Sequence, residues 1–192
     1  FDLRFVGPDG AQELKYEPVE WNPTGVSAYW VRVPELKAGT TITAKWGNPS
    51  AATQPDYCLD GSIWNRYHAV WHMEGDDPTV IRESSGSLHG NAINFNETPR
   101  VPGVIGKALS FDGINDYVNL PLESHPPGDA KQLTVSFWSY GGASLPKSTS
   151  ILESGSSLGR HLNIHHPWSN GRIYWDAGTG GIDRLEKNDF DY

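Results

Sequence analysis

Apolar and polar residues alternate along most of the chain. In Val26–Val33 (VSAYWVRV), Val26, Ala28 and Trp30 share one face, and Tyr29, Val31 and Val33 the other. Thr40–Trp46 sets Ile42, Ala44 and Trp46 against Thr41, Thr43 and Lys45. Gln132–Tyr140 sets Leu133, Val135 and Phe137 against Thr134, Ser136 and Trp138. Arg160–His165 and Arg172–Asp176 repeat the pattern through Leu162/Ile164 and Ile173/Trp175. A period of two in β-branched and aromatic residues predicts strands with one face on a core. Turn formers fall between them, among them PDG at 8–10, NPTG at 22–25, KAG at 37–39, DGIND at 112–116 and SNG at 169–171. No stretch reads as a long helix; Glu186–Asp191 is short and has no apolar stripe. Asn48–Gly61 is rich in small residues, Pro and Asp and has no period. It reads as a linker, residues 49–63, between a smaller β unit over 1–48 and a larger one over 64–192.

Composition sharpens this picture. The 192 residues include 21 Gly and 14 Pro, above the roughly 12% that these two types average together. With 8 Trp, 8 Tyr and 6 Phe there is ample material for a core. Short strands and many turns suit both counts. The formal net charge is −8 and no Lys/Arg cluster occurs, which argues against nucleic acid and anionic membrane surfaces as partners. No apolar run approaches the roughly 20 residues of a membrane span. A single cysteine, Cys58, excludes an internal disulfide framework and a Cys-based zinc site.

Two groups of motifs resemble known families. The first is Asp2–Gly10 (DLRFVGPDG), Leu14–Trp21 (LKYEPVEW), Ala28–Leu36 (AYWVRVPEL) and Lys45–Pro49 (KWGNP). It resembles the bacterial domain of unknown function 2341. The second is Tyr67–Gly75 (YHAVWHMEG), Ser84–Gly90 (SSGSLHG), Gly103–Val118 (GVIGKALSFDGINDYV) and Leu133–Trp138 (LTVSFW). It is similar to the laminin-G-like, concanavalin A-like domain, although Glu83 stands where that family carries Asp before SSG. The resemblance implies an antiparallel β-sandwich of the jelly-roll kind for the larger unit, and non-catalytic roles. It also implies that both ends are cut. The chain starts at Phe1, and the strand that should follow Arg172–Asp176 is missing. An open sheet edge is therefore expected there.

Four constellations are candidates for chemistry. A glycosidase needs two carboxylates flanking the scissile bond. The nearest cluster, Glu74, Asp76 and Asp77, lies in a GDDP turn, and no E-x-D-x-E strand occurs, so no catalytic residue is assigned. Asp112, Asn115 and Asp116 place three oxygen side chains within five positions, which suits calcium. The alternative there is a turn whose side chains bond their own backbone. His161, Asn163 and His165 share a strand face, as do His68 and His72; a polar, solvent-facing row is the plainer reading than a metal site. In 165–176 (HHPWSNGRIYWD), Trp168 sits in a turn flanked by His165, Asn170, Arg172 and Tyr174. A sugar presents an apolar ring face and hydroxyls, so an aromatic plate beside polar side chains is a candidate glycan site. The alternative is that Trp168 packs on a neighbouring domain or loop. Asn96–Thr98 spells a glycosylation sequon.

The sequence thus predicts an all-β, non-enzymatic, extracytoplasmic module. Its expected partner is a glycan or, alternatively, another protein subunit that it positions; a hydrolase or lyase fragment is the third class.

Overall fold

The computed structural model describes residues 2–51, 53–95, 99–125, 132–141, 150–154, 162–177 and 183–188. The chain is all-β, its strands short and antiparallel, and among the described residues its helical segments are single 3-10 turns such as Asp56–Cys58 and Ser62–Trp64. It divides into two compact units, Phe1–Gly128 and Asp129–Tyr192.

In the first unit, β1 (Arg4–Val6) pairs with β2 (Glu13–Leu14), and β3 (Tyr16–Glu20) with β4 (Ala28–Val31). β5 (Thr43–Lys45) covers the other side of β1. β6 (Val80–Ile81), β7 (Gly90–Ile93) and β10 (Tyr117–Asn119) form a second three-stranded sheet, with β7 central, and β8 (Arg100–Pro102) and β9 (Lys107–Leu109) a hairpin. Tyr16 is fully buried; Phe5, Tyr29 and Tyr57 meet its ring edge-on at 5.2, 5.9 and 5.7 Å. Its hydroxyl donates to the Leu3 carbonyl at 2.7 Å, so the polar end of this core ring is satisfied. Cys58 is a free thiol buried in the same unit, and burial pushes its pKa up.

Two carboxylates of this unit, the half-buried Glu17 and the buried Glu83, are held by donors. Glu17 on β3 accepts from the Trp64 indole and the Ser84 hydroxyl, and the His72 imidazole lies 3.7 Å away, stacked on Trp30. Burial alone would raise the Glu17 pKa, but His72, Trp64 and Ser84 outweigh it and hold it below the usual carboxylate value. Glu83 accepts from the backbone N–H groups of Val70 and Ser85 at 2.8 and 2.7 Å; with the Ser85 hydroxyl they overcome its burial in the same way.

The second unit contains a four-stranded sheet in the order β11 (Leu152–Glu153), β12 (Leu162–His165), β13 (Ile173–Ala177), β14 (Asp183–Lys187). Two strands of the predicted alternation, β12 and β13, stand where the pattern places them. The expected open edge beside β13 is corrected: β14 pairs along it from Ile173↔Lys187 to Ala177↔Asp183. Gln132–Tyr140 differs from expectation as well. No ladder joins it to any described residue, and Leu133, Phe137 and Trp138 are exposed. Alternation gives a segment two faces, but only a paired neighbour makes it a strand. In the first unit the predicted strands shorten for the same reason, and Trp46 lies beyond the end of β5, 75% exposed.

Candidate functional site

The site is built by register. Across the second unit's sheet, Asn163 faces Asp176, His165 faces Tyr174, Tyr174 faces Glu186 and Asp176 faces Arg184. Side chains two apart share a face. Asn163, His165, Tyr174, Asp176, Arg184 and Glu186 therefore occupy one side of the sheet, and Leu162, Ile164, Ile173, Trp175 and Leu185 the other.

The connection between β12 and β13 completes the site. A four-residue turn, Trp168 to Gly171, closes through the Gly171 N–H and the Trp168 carbonyl at 2.8 Å, with Gly171 in the left-handed region at φ 81°. Trp168 N–H donates to the Arg172 carbonyl at 2.8 Å, which fixes the base of the loop. Asn170 serves the turn: its Oδ1 accepts the Arg172 N–H at 3.1 Å, and its Nδ2 donates to the Tyr174 hydroxyl at 2.8 Å.

These elements enclose a cavity of about 310 Å³ lined by His165, Trp168, Tyr174 and Arg184. Trp168 is half-buried and meets the His165 ring edge-on at 4.5 Å. His165 is buried, which corrects the expectation of a solvent-facing histidine row. Its Nδ1 lies 3.2 Å from the Ser150 hydroxyl and its Nε2 3.5 Å from the Asp176 carboxylate. Turn and sheet cover it from both ends, something alternation along one strand does not reveal. Arg184 Nε and Nη2 donate to the two Asp176 oxygens at 2.5 and 2.8 Å, and the guanidinium carbon lies 4.4 Å from the Tyr174 ring centroid. Such a fork on a carboxylate, with a ring beneath, fixes the guanidinium plane.

Of the residues singled out from sequence, the structure brings His165, Trp168 and Tyr174 together around the cavity. Asn170 joins them through the Tyr174 hydroxyl. Arg172 instead pairs with Glu186 at 2.5 Å. Arg184 and Asp176 were missed. Their signal is the alternation of Asp183–Lys187, with Arg184 and Glu186 opposite Leu185, in a run too short and polar to be noticed without its partner strand. His161 and the sequon Asn96–Thr98 lie outside the described residues.

Elsewhere, Asp112 Oδ1 accepts the N–H groups of Ile114 and Asn115 at 2.8 and 3.2 Å, and Asp116 Oδ2 that of Asp112 at 2.9 Å. The bonds from Ile114, first, and Asn115 hold the Asp112 pKa below its usual value. Asp116 Oδ1 is buried without a hydrogen-bond partner. No three His, Cys, Asp or Glu side chains among the described residues converge as a metal group. A second cleft, of about 550 Å³, lies within the first unit between Val19, Glu20, Glu74, Asp76, Arg100 and Lys107. Burial raises the Glu74 pKa there, and the nearby Glu17 and Glu20 carboxylates add to it, against the opposing pull of His72. Asp77 turns to the Thr79 backbone and hydroxyl. No helix among the described residues is long and apolar enough to cross a membrane.

No family model and no curated protein matches the chain. Among solved structures, an S-layer domain-containing protein fragment (residues 221–444) from Clostridium thermocellum ATCC 27405 is similar in fold, with a TM-score of 0.50 and 19% identity. The match covers 65% of this chain and 58% of that one, and at this identity it is a likeness of fold.

Proposed function

We propose that this chain is a non-catalytic recognition module of an extracytoplasmic protein, and that its second unit binds a glycan in the cavity beside Trp168. The observation that carries the reading is the pairing of a half-buried Trp168, held in a closed turn, with Tyr174, His165 and Arg184 around one cavity. A sugar ring would stack on the indole while its hydroxyls meet the imidazole and guanidinium. Little further ordering of Trp168 would be needed, because the turn already places it. The resemblance to a domain of unknown function 2341 followed by a laminin-G-like jelly roll supports the module reading. So does the fold neighbour, a fragment of an S-layer domain-containing protein.

One observation favours a second reading, a structural module that docks another protein. Leu133, Phe137 and Trp138 form exposed apolar surface on a segment with no ladder partner among the described residues. Calcium on the Asp112–Asp116 turn belongs to the proposal too. Asp116 Oδ1 is the atom without a partner, Asp112 and Asn115 stand beside it in the turn, and the ion would brace the loop.

The test of the glycan reading is an array probed with wild type and Trp168→Ala, with a melting curve for each. Truncating an aromatic anchor costs ~2 kcal/mol or more, a loss of at least about tenfold in affinity. Equal binding by both proteins removes Trp168 from the site. Absence of binding by either, with Trp168→Ala markedly less stable, favours the structural reading.

A further inference from the structure

We infer that the cavity selects sugars bearing an oxyanion, a uronate carboxylate or a sulfate ester, and that Arg184 makes the selection. This rests on the glycan reading and deepens it. The argument begins with the guanidinium's edges. Arg184 spends Nε and one Nη2 hydrogen on Asp176, its side-on edge. Its end-on edge, Nη1 with the second Nη2 hydrogen, carries three donors that the Asp176 fork does not use. Tyr174 lies against one face of the same group at 4.4 Å, so the free edge is held in a fixed plane. A planar fork of this kind is the counterpart of a carboxylate or sulfate oxygen pair.

The charges a ligand would meet point the same way. The Arg184 side chain is 40% exposed, whereas its partner Asp176 is 3% exposed. Of the other carboxylates on that face, Glu186 is engaged by Arg172, and Glu153 stands opposite Asn163 on β11, at the other edge of the sheet from β14. Among the described lining residues, the formally charged one is Arg184. A ligand reaching the cavity therefore meets a cation whose counter-charge is buried behind it. The chain's overall charge of −8 acts against anions at long range, but exposed charges are screened beyond about 8 Å at physiological ionic strength. The selection is local, made by one guanidinium edge beside the stacking ring.

The experiment is titration calorimetry on the full chain with length-matched probes. These are neutral oligogalactan, oligogalacturonate, its methyl ester, and sulfated oligogalactan. The proteins are wild type, Arg184→Lys, Arg184→Gln and Trp168→Ala, each with a melting curve. Wild type should bind an anionic probe at least ~10-fold more tightly than the neutral ones, since charge-assisted bidentate bonds exceed neutral ones by that order. Preference for galacturonate over its ester identifies the carboxylate, and preference for the sulfated probe identifies the ester sulfate. Arg184→Lys, which keeps a cation beside Asp176, should lose most of that ratio, and Arg184→Gln should lose all of it. Trp168→Ala should weaken every probe. Equal binding of neutral and anionic probes by wild type, or an unchanged ratio in Arg184→Lys, overturns the inference and leaves the glycan reading standing. A folded wild type that binds no probe removes both.

Discussion

Asp176 stands directly opposite Arg184 across β13 and β14, and the guanidinium grips both of its oxygens. The pair ties β14, the last described strand, to β13. Removing the cation leaves a buried carboxylate without that partner, and losing one side of such a pair costs the desolvation of the other. Arg184→Ala should destabilise the second unit by about 1–3 kcal/mol, a range kept low because Arg184 itself is partly exposed to water. Urea denaturation of wild type and variant measures it; coincident curves would show that the pair contributes nothing.

Acid should weaken the first unit through Glu17. Its folded pKa is depressed despite burial. The stability its charge contributes is therefore present above the ordinary glutamate value and is lost as pH falls through the lower folded value. Glu17→Gln should be less stable than wild type at neutral pH by about 1–3 kcal/mol, and the difference should shrink on acidification. Denaturation midpoints across that range decide the matter. A gap that stays constant with pH refutes the assignment.

The cleft beside Glu74 should not hydrolyse polysaccharide. A glycosidase holds an acid and a second carboxylate about 5–10 Å apart across a sugar. This cleft also carries Arg100 and Lys107, and Arg100 is committed to the Glu74 and Val80 carbonyls at 3.2 and 3.0 Å. Reducing-sugar release should stay at background on β-glucans, galactans and mannans. Release by wild type that disappears in Glu74→Gln would make the protein an enzyme.

Calcium should raise the melting temperature, because an ion bound to the folded state stabilises it by mass action, about 2.7 kcal/mol at a hundredfold excess over Kd. Asp116→Ala should abolish the shift. If chelator leaves wild type unchanged, the Asp112–Asp116 segment is a self-bonded turn and nothing more.

Local chemistry was legible in the sequence. Alternation through Leu162/Ile164 and Ile173/Trp175 placed β12 and β13, and Pro167 to Gly171 placed the turn that presents Trp168, because side-chain periodicity and turn residues act within a few positions. The all-β class followed from the same local signals. What only the tertiary structure decided is which segments find partners. Asp183–Lys187 became a strand because β13 pairs with it, and that pairing alone sets Arg184 on Asp176. Gln132–Tyr140 has the stronger pattern and no ladder among the described residues. Likewise Glu17 meets Trp64, His72 and Ser84, which lie 47 to 67 residues further along the chain. A hydrogen bond between distant residues depends on register and packing, and neither is written in the spacing of the residues it joins.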